Sequence, residues 1–283
     1  MTSLMQRSFI RLLLLSIFFA SLQVSAQERG QLAAMKATAE GGYNFWLYAP
    51  PEYVVDGERV PVLVFLHGRS LCGTDMQKVR RYGPLDALQR GLYFPCFIIA
   101  PQNPGGPWKP EKIMQCLEWV EQNYDVDSNR FYAIGMSLGG YGVMDFAGTY
   151  PDRIAAAMPI CGGTTLKDKS GLGQLPLWIL HGTADRAINI EESKKVVRSL
   201  QETHQDELLR YSWWEGASHG DLARLMYSHQ AYDWLFWHNL ADDPRETYRE
   251  IDITLSDLKD VYQQLVPEWT QFDVVKKISK PEN

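Results

Sequence analysis

Residues 133–142 read AIGMSLGGYG. Gly135, Ser137 and Gly139 stand at every second position, after the apolar run RFYAIGMS (130–137) and at the start of GGYGVMDFAGTYP (139–151), a helix-like segment that stops at a proline. Small residues at such a boundary either pack or clear space around a nucleophile. Glycines two before and two after the serine let the chain reverse sharply without Cβ clashes. The reversal would lift the Ser137 hydroxyl above a sheet edge and aim the next backbone N–H at the same space.

The neighbouring sequence supplies that sheet. YNFWLYA (43–49) alternates and ends at a Pro-Pro pair, which suits an early strand. VPVLVFLHG (60–68), FPCFIIAPQ (94–102), IAAAMPICGG (154–163), LPLWILHGTAD (175–185) and LLRYSWWEGASHG (208–220) are apolar runs like the one at 130–137. Continuous runs of this kind fit central parallel strands covered on both faces. Helix-like segments lie between them at 110–124, 139–151, 190–204 and 227–240, the first with Ile113, Cys116, Leu117 and Val120 on one face. Strands alternating with helices predict an α/β fold, with a mainly parallel, doubly wound sheet between two helical layers. The 283 residues, 45% hydrophobic, are ample for one such domain.

The first 26 residues read differently. Arg7 and Arg11 precede LLLLSIFFASL, and VSA ends at Ala26. A basic region, a short apolar stretch and small residues describe a secretory leader, too short to span a bilayer comfortably. The expected mature chain is one domain, 27–283, secreted or periplasmic and without stable membrane insertion; its charged, helix-prone tail from about residue 241 reads as a solvated extension, with a docking or partner-contact helix as the competing reading. A net charge of −6 without a basic stripe argues against nucleic-acid partners. Cys72, Cys96, Cys116 and Cys161 have no metal-binding spacing, so no metal is expected, and export leaves bridges or free thiols equally open.

In this context Gly135-Met136-Ser137-Leu138-Gly139 is a nucleophile elbow, strand before and helix after. A serine needs a base, and an acid to orient it, in the chain order serine, acid, histidine. Of six histidines, His219 follows the last strand on a small-residue loop, where it can reach the serine. Asp185, just past the 175–185 run, is the candidate acid; a helix cap is its competing role, and Asp221 is the second choice. An oxyanion needs two backbone donors. These are expected from Leu138, after the nucleophile, and Arg69, in the loop after the 60–68 strand.

LHGRSLCGTD, IIAPQNPGGPW, RFYAIGMSLGGYGVMDFAGTYPDRIAAAMPICGG, LPLWILHGTAD and GASHGD together resemble the secreted α/β-hydrolase esterases often labelled predicted peptidases. These are close to feruloyl and acetylxylan esterases and to the phospholipase/carboxylesterase group. The resemblance spans residues 43–240 and implies a serine ester hydrolase without cofactor. It carries the nucleophile onto Ser137, the acid onto Asp185, the base onto His219 and the oxyanion donors onto Arg69 and Leu138. Relatives often read Ala-Gly-Glu-Arg-Gly after the His-Gly pair, where this chain has Arg69 to Gly73.

Trp108, Trp213 and Trp214 are candidates to line a cleft for sugar rings or cinnamoyl groups, or else ordinary core residues. The expected substrate is a small-molecule or oligosaccharide ester, acetyl or feruloyl. A serine peptidase or amidase of the same fold and a non-catalytic binding protein are the competing readings. The sequence leaves the oligomeric state open.

Overall fold

The computed structural model describes residues 29–266 and 272–281. The leader read at 1–26 lies outside the described residues. Among the described residues, nine strands form one sheet: β1 (Gly30–Met35), β2 (Phe45–Ala49), β3 (Val60–Leu66), β4 (Phe97–Pro101), β5 (Val126–Met136), β6 (Ala156–Ile160), β7 (Leu177–Gly182), β8 (Leu209–Trp214) and β9 (Phe272–Val275). Their order is β8-β7-β6-β5-β3-β4-β2-β1-β9. Strands β3 to β8 pair in parallel, whereas β2 runs antiparallel to both β1 and β4.

Eight α-helices accompany it among the described residues: α1 (Pro51–Asp56), α2 (Pro84–Gln89), α3 (Pro110–Asn123), α4 (Leu138–Thr149), α5 (Glu191–Glu202), α6 (His219–Leu222), α7 (His229–Trp237) and α8 (Leu255–Lys259). Alternate residues of the central strands serve two cores, as a period of two requires. Val62, Val64 and Leu66 face the core that includes α3, α4 and α5, while Leu63 and Phe65 face that of α2 and α7. Both sides of the sheet are therefore covered, which is why these strands carry no polar alternation. The expected three-layer α/β architecture is the one observed.

Register fixes the site. Met136 on β5 pairs with Ile160 on β6, and Ile160 pairs with Leu180 on β7. Ser137, Cys161 and His181 follow these three residues, so they share one level at the carboxyl ends of adjacent strands. The loop after β3 lies on the other side of β5, where the crossovers change direction. Such switch points open a crevice above the sheet.

The elbow depends on close backbone approach. A Cβ on Gly139 would lie 1.8 Å from the Leu66 carbonyl oxygen, and one on Gly135 would lie 2.6 Å from the Gly139 carbonyl oxygen. Gly139→Ala must push α4 off β3. It is expected to cost more than about 4 kcal/mol, among the largest single-residue effects, read as loss of folded protein in chemical denaturation.

Of the two readings of the tail, the structure shows the docked one and corrects the solvated one: Ile253, Leu258 and Val261 are buried, and Ile251, Leu255 and Leu265 pack against the same core. Trp214 and Trp234 donate their indole N–H groups to the carbonyls of Ile253 and Tyr248 at 3.1 and 2.8 Å. Thr254 and Asp257 form a capping box at α8. Apolar residues among many charges sufficed, because packing stabilises a short helix more than its propensity does.

Candidate active site

Ser137 occupies the tip of the β5–α4 turn with φ 61° and ψ −121°. This backbone conformation is strained for a residue with a side chain, and strain of this kind persists only where surrounding contacts enforce it. Here the Ser137 N–H donates to the Ile160 carbonyl at 2.9 Å, and its own carbonyl accepts from Tyr141 at 3.1 Å. Leu138 is the first residue of α4, so its N–H lacks an intrahelical acceptor and is free to face an incoming oxygen.

The structure brings Asp185 and His219 together. Asp185 Oδ2 and His219 Nδ1 are 2.6 Å apart, with the Asp185 side chain fully buried and that of His219 27% exposed. Asp185 Oδ1 accepts from the amides of Ala187 and Ile188 at 2.8 and 2.9 Å. Burial pushes this carboxyl up, but the Ile188 amide, the His219 contact and the Ala187 amide outweigh it, and the net direction is below the usual carboxylate range. The carboxylate is thus held ionised, one oxygen fixed by backbone and the other on the imidazole. Helix capping belongs instead to Asp221, which accepts from the N–H and hydroxyl of Ser218 at 2.9 and 2.7 Å. That cap fixes the start of α6, where His219 stands. The Ser137 hydroxyl makes no hydrogen bond to a described residue; links of this type tighten when substrate is bound.

Arg69 opens a 3₁₀ turn, Arg69–Leu71, directly after Gly68. As the first residue of that turn it has no acceptor within the turn for its N–H, while its side chain is exposed. The turn is anchored from three sides. His67 is fully buried, its Nδ1 donating to the Gly68 carbonyl at 2.8 Å and its Nε2 accepting from the Asn103 N–H at 3.0 Å. Burial lowers its pKa to about 4, which keeps the ring neutral and able to do both. Trp108 donates to the His67 carbonyl at 3.2 Å, and the Gly68 N–H donates to the Tyr82 hydroxyl at 2.8 Å.

Tyr82 is a residue the sequence reading missed. A Cβ on Gly68 would lie 3.2 Å from Tyr82 Oη and 3.6 Å from Ser137 Cβ, so the phenol borders the same space as the serine. Nothing in the stretch RRYGP marks it; only folding brings it there. Burial raises its pKa to about 12, so it remains a phenol. Tyr82→Phe leaves the Gly68 N–H unpartnered and loosens the turn that aims Arg69. About a tenfold fall in kcat with little change in KM is expected in steady-state kinetics, the effect of one lost hydrogen bond of about 1.4 kcal/mol.

Of the three tryptophans weighed between cleft and core, two take the core role. Trp108 is 3% exposed and packs on Gly142 and His67, and Trp214 is 9% exposed with its N–H on the tail. Both are core residues, because indoles this deep are held by the loops they support. Trp213 is half-buried and stacks on Tyr211 with centroids 5.1 Å apart. All four cysteines are free thiols.

Comparison with known proteins agrees with this architecture. Residues 109–234 match the Dienelactone hydrolase family. An esterase of Mycobacterium tuberculosis is 31% identical over 144 residues, covering 44% of this chain and 30% of that one. The chain therefore spans under a third of that relative's length. A crystal structure of a thermostable esterase superposes with a TM-score of 0.60 at 24% identity, covering 76% of this chain and 64% of that one. The feruloyl esterase module from Clostridium thermocellum, an S954A mutant complexed with sinapinate, superposes with a TM-score of 0.58 at 15% identity, covering 80% of this chain and 92% of that one.

Proposed function

We propose, from the premise that this chain is an α/β-hydrolase by fold, that it is an exported serine carboxylic-ester hydrolase acting on acetyl or feruloyl esters of carbohydrate. The observation that carries the reading is the 2.6 Å Asp185–His219 pair, placed after the strained Ser137 turn in the order the chemistry needs. Asp185 holds the proton on Nδ1, so Nε2 is the basic nitrogen. With ester bound, Ser137 Oγ attacks the carbonyl carbon and His219 Nε2 takes its proton. The negative charge that develops on the carbonyl oxygen is met by the N–H groups of Leu138 and Arg69. His219 returns the proton to the departing alcohol, leaving an acyl-serine. A water, deprotonated by His219, then releases the acid.

The acyl and alcohol preferences are drawn from the sequence resemblance to feruloyl and acetylxylan esterases; a structure of the same fold is a feruloyl esterase module complexed with sinapinate. The leader sequence supports export, where plant cell-wall esters are met. The test is acid release by the mature protein from acetylated xylo-oligosaccharide, methyl ferulate and a small peptide amide. Release from either ester, absent in Ser137→Ala, is the expected result. Release from the amide alone would replace this reading with a peptidase.

A further inference from the structure

Cys161 has no role in the reaction just described, yet it stands at the centre of the site. It directly follows β6, between the strands that carry Ser137 and lead to Asp185. Its backbone φ is 47°, one of four positive values at non-glycine positions among the described residues; Ser137 is another. Glycine takes that conformation freely, and the next two residues are glycines. Conformation alone does not explain a side chain at this position. The thiol is fully buried and faces the Asp185 carboxylate and the His219 ring: Sγ, a carboxylate oxygen and a ring nitrogen all lie within 4.8 Å of one another. A thiolate, an imidazole nitrogen and a carboxylate oxygen are the donors that zinc selects, at roughly 2.0–2.3 Å from the ion. Donor atoms on one tetrahedral ion are about 3.5 Å apart at those bond lengths. Side-chain movements of about 1 Å therefore bring these three onto one ion.

We propose that Cys161, Asp185 and His219 form a site for a thiophilic divalent cation, with Zn²⁺ as the type, whose occupation switches the hydrolase off. The inference rests on the assignment of Asp185 and His219 to the proposed reaction. Three bonds to the ion form, from Cys161 Sγ, His219 Nδ1 and Asp185 Oδ2, and water completes the tetrahedron. The S–H bond breaks and its proton passes to solvent; the Nδ1–H bond breaks as the ring takes a proton at Nε2, so His219 stays a neutral imidazole, one proton is released in all, and no electron is transferred. Occupation replaces the Asp185–His219 hydrogen bond with a metal, so the imidazole can no longer be held as a base for Ser137. The quarter-exposed His219 ring is the side from which the cation arrives. Asp185 Oδ1 stays on its two amides, so the loop at 185–188 need not unfold.

Binding is measured apart from catalysis. Zn²⁺ titrated calorimetrically into the Ser137→Ala protein is expected to bind one ion per chain. Adding Cys161→Ala is expected to weaken that binding by at least about 100-fold, the upper range for losing even an indirect partner of a metal. Co²⁺ in the same protein is expected to show a thiolate charge-transfer band that Cys161→Ala lacks. In the Ser137-containing protein, Zn²⁺ is expected to inhibit ester hydrolysis reversibly with EDTA, and Cys161→Ala is expected to escape that inhibition. Cys161→Ser serves as the second variant if alanine impairs folding. Equal Zn²⁺ affinity with and without the thiol, or bound Co²⁺ without the band, would overturn the proposal. A protein that binds Zn²⁺ through Cys161 but hydrolyses no ester would instead overturn the reaction assignment alone.

Discussion

Ser137→Ala is expected to lower kcat on any cleaved ester by at least about 10⁴-fold, with folding intact. Removing Oγ deletes the atom that becomes acylated, and no neighbouring hydroxyl can take its place at the elbow. Alanine also fits the left-handed backbone of residue 137 no worse than serine does, so stability is not the reason for the loss. Residual turnover in the mutant measures what the Leu138 and Arg69 N–H groups achieve with water as nucleophile. Steady-state kinetics beside thermal unfolding of both proteins checks this. Equal turnover in wild type and mutant would remove Ser137 from the reaction.

Asp185→Asn is the second large effect, and its cause is a tautomer. Two backbone amides, from Ala187 and Ile188, point at Oδ1. Asparagine must keep its carbonyl oxygen there, which turns its NH₂ group toward His219 Nδ1. That nitrogen then accepts instead of donating, the proton moves to Nε2, and the base is lost on the side of the serine. A fall in kcat of about 10⁴-fold is expected, the size seen when such a carboxylate becomes an amide. Stability supplies a second readout. The folded carboxyl sits below its ordinary value of 3.8, so the stabilisation it brings is complete above that pH. It is lost as pH falls through the lower folded value. The stability difference between wild type and Asp185→Asn is therefore expected to shrink on acidification below about pH 4, measured by denaturant unfolding across pH. A difference that grows with acid would contradict the depressed carboxyl.

The contrast between what the sequence revealed and what it hid follows from the range of each interaction. The glycines around Ser137 were legible because the constraint is local: a carbonyl of β3 leaves no room for a Cβ at Gly139. The apolar runs announced β3 to β8 because burial on both faces demands it of every residue. Asp185 and His219 were legible because each follows a parallel strand within a few residues, and chain order restricts which strand ends supply acid and base. Tyr82 was invisible, since a phenol 14 residues from the glycine it holds leaves no periodic trace. Trp108 and Trp214 stayed between two roles because a tryptophan reads alike whether it lines a cleft or fastens a loop; the partner of its N–H tells the two apart. The tail was read as solvated because its charges outnumber the few apolar residues that dock it. Strands β1 and β9 were missed as well: β1 is a short edge-side strand rich in alanine, and β9 has only four residues.

The most direct measurement is labelling of the folded protein with a fluorophosphonate, followed by peptide mapping in a mass spectrometer. One adduct on Ser137, formed far more slowly in His219→Ala and absent from Ser137→Ala, is the result this account predicts. An unlabelled folded protein, or a label that persists in Ser137→Ala, would contradict it.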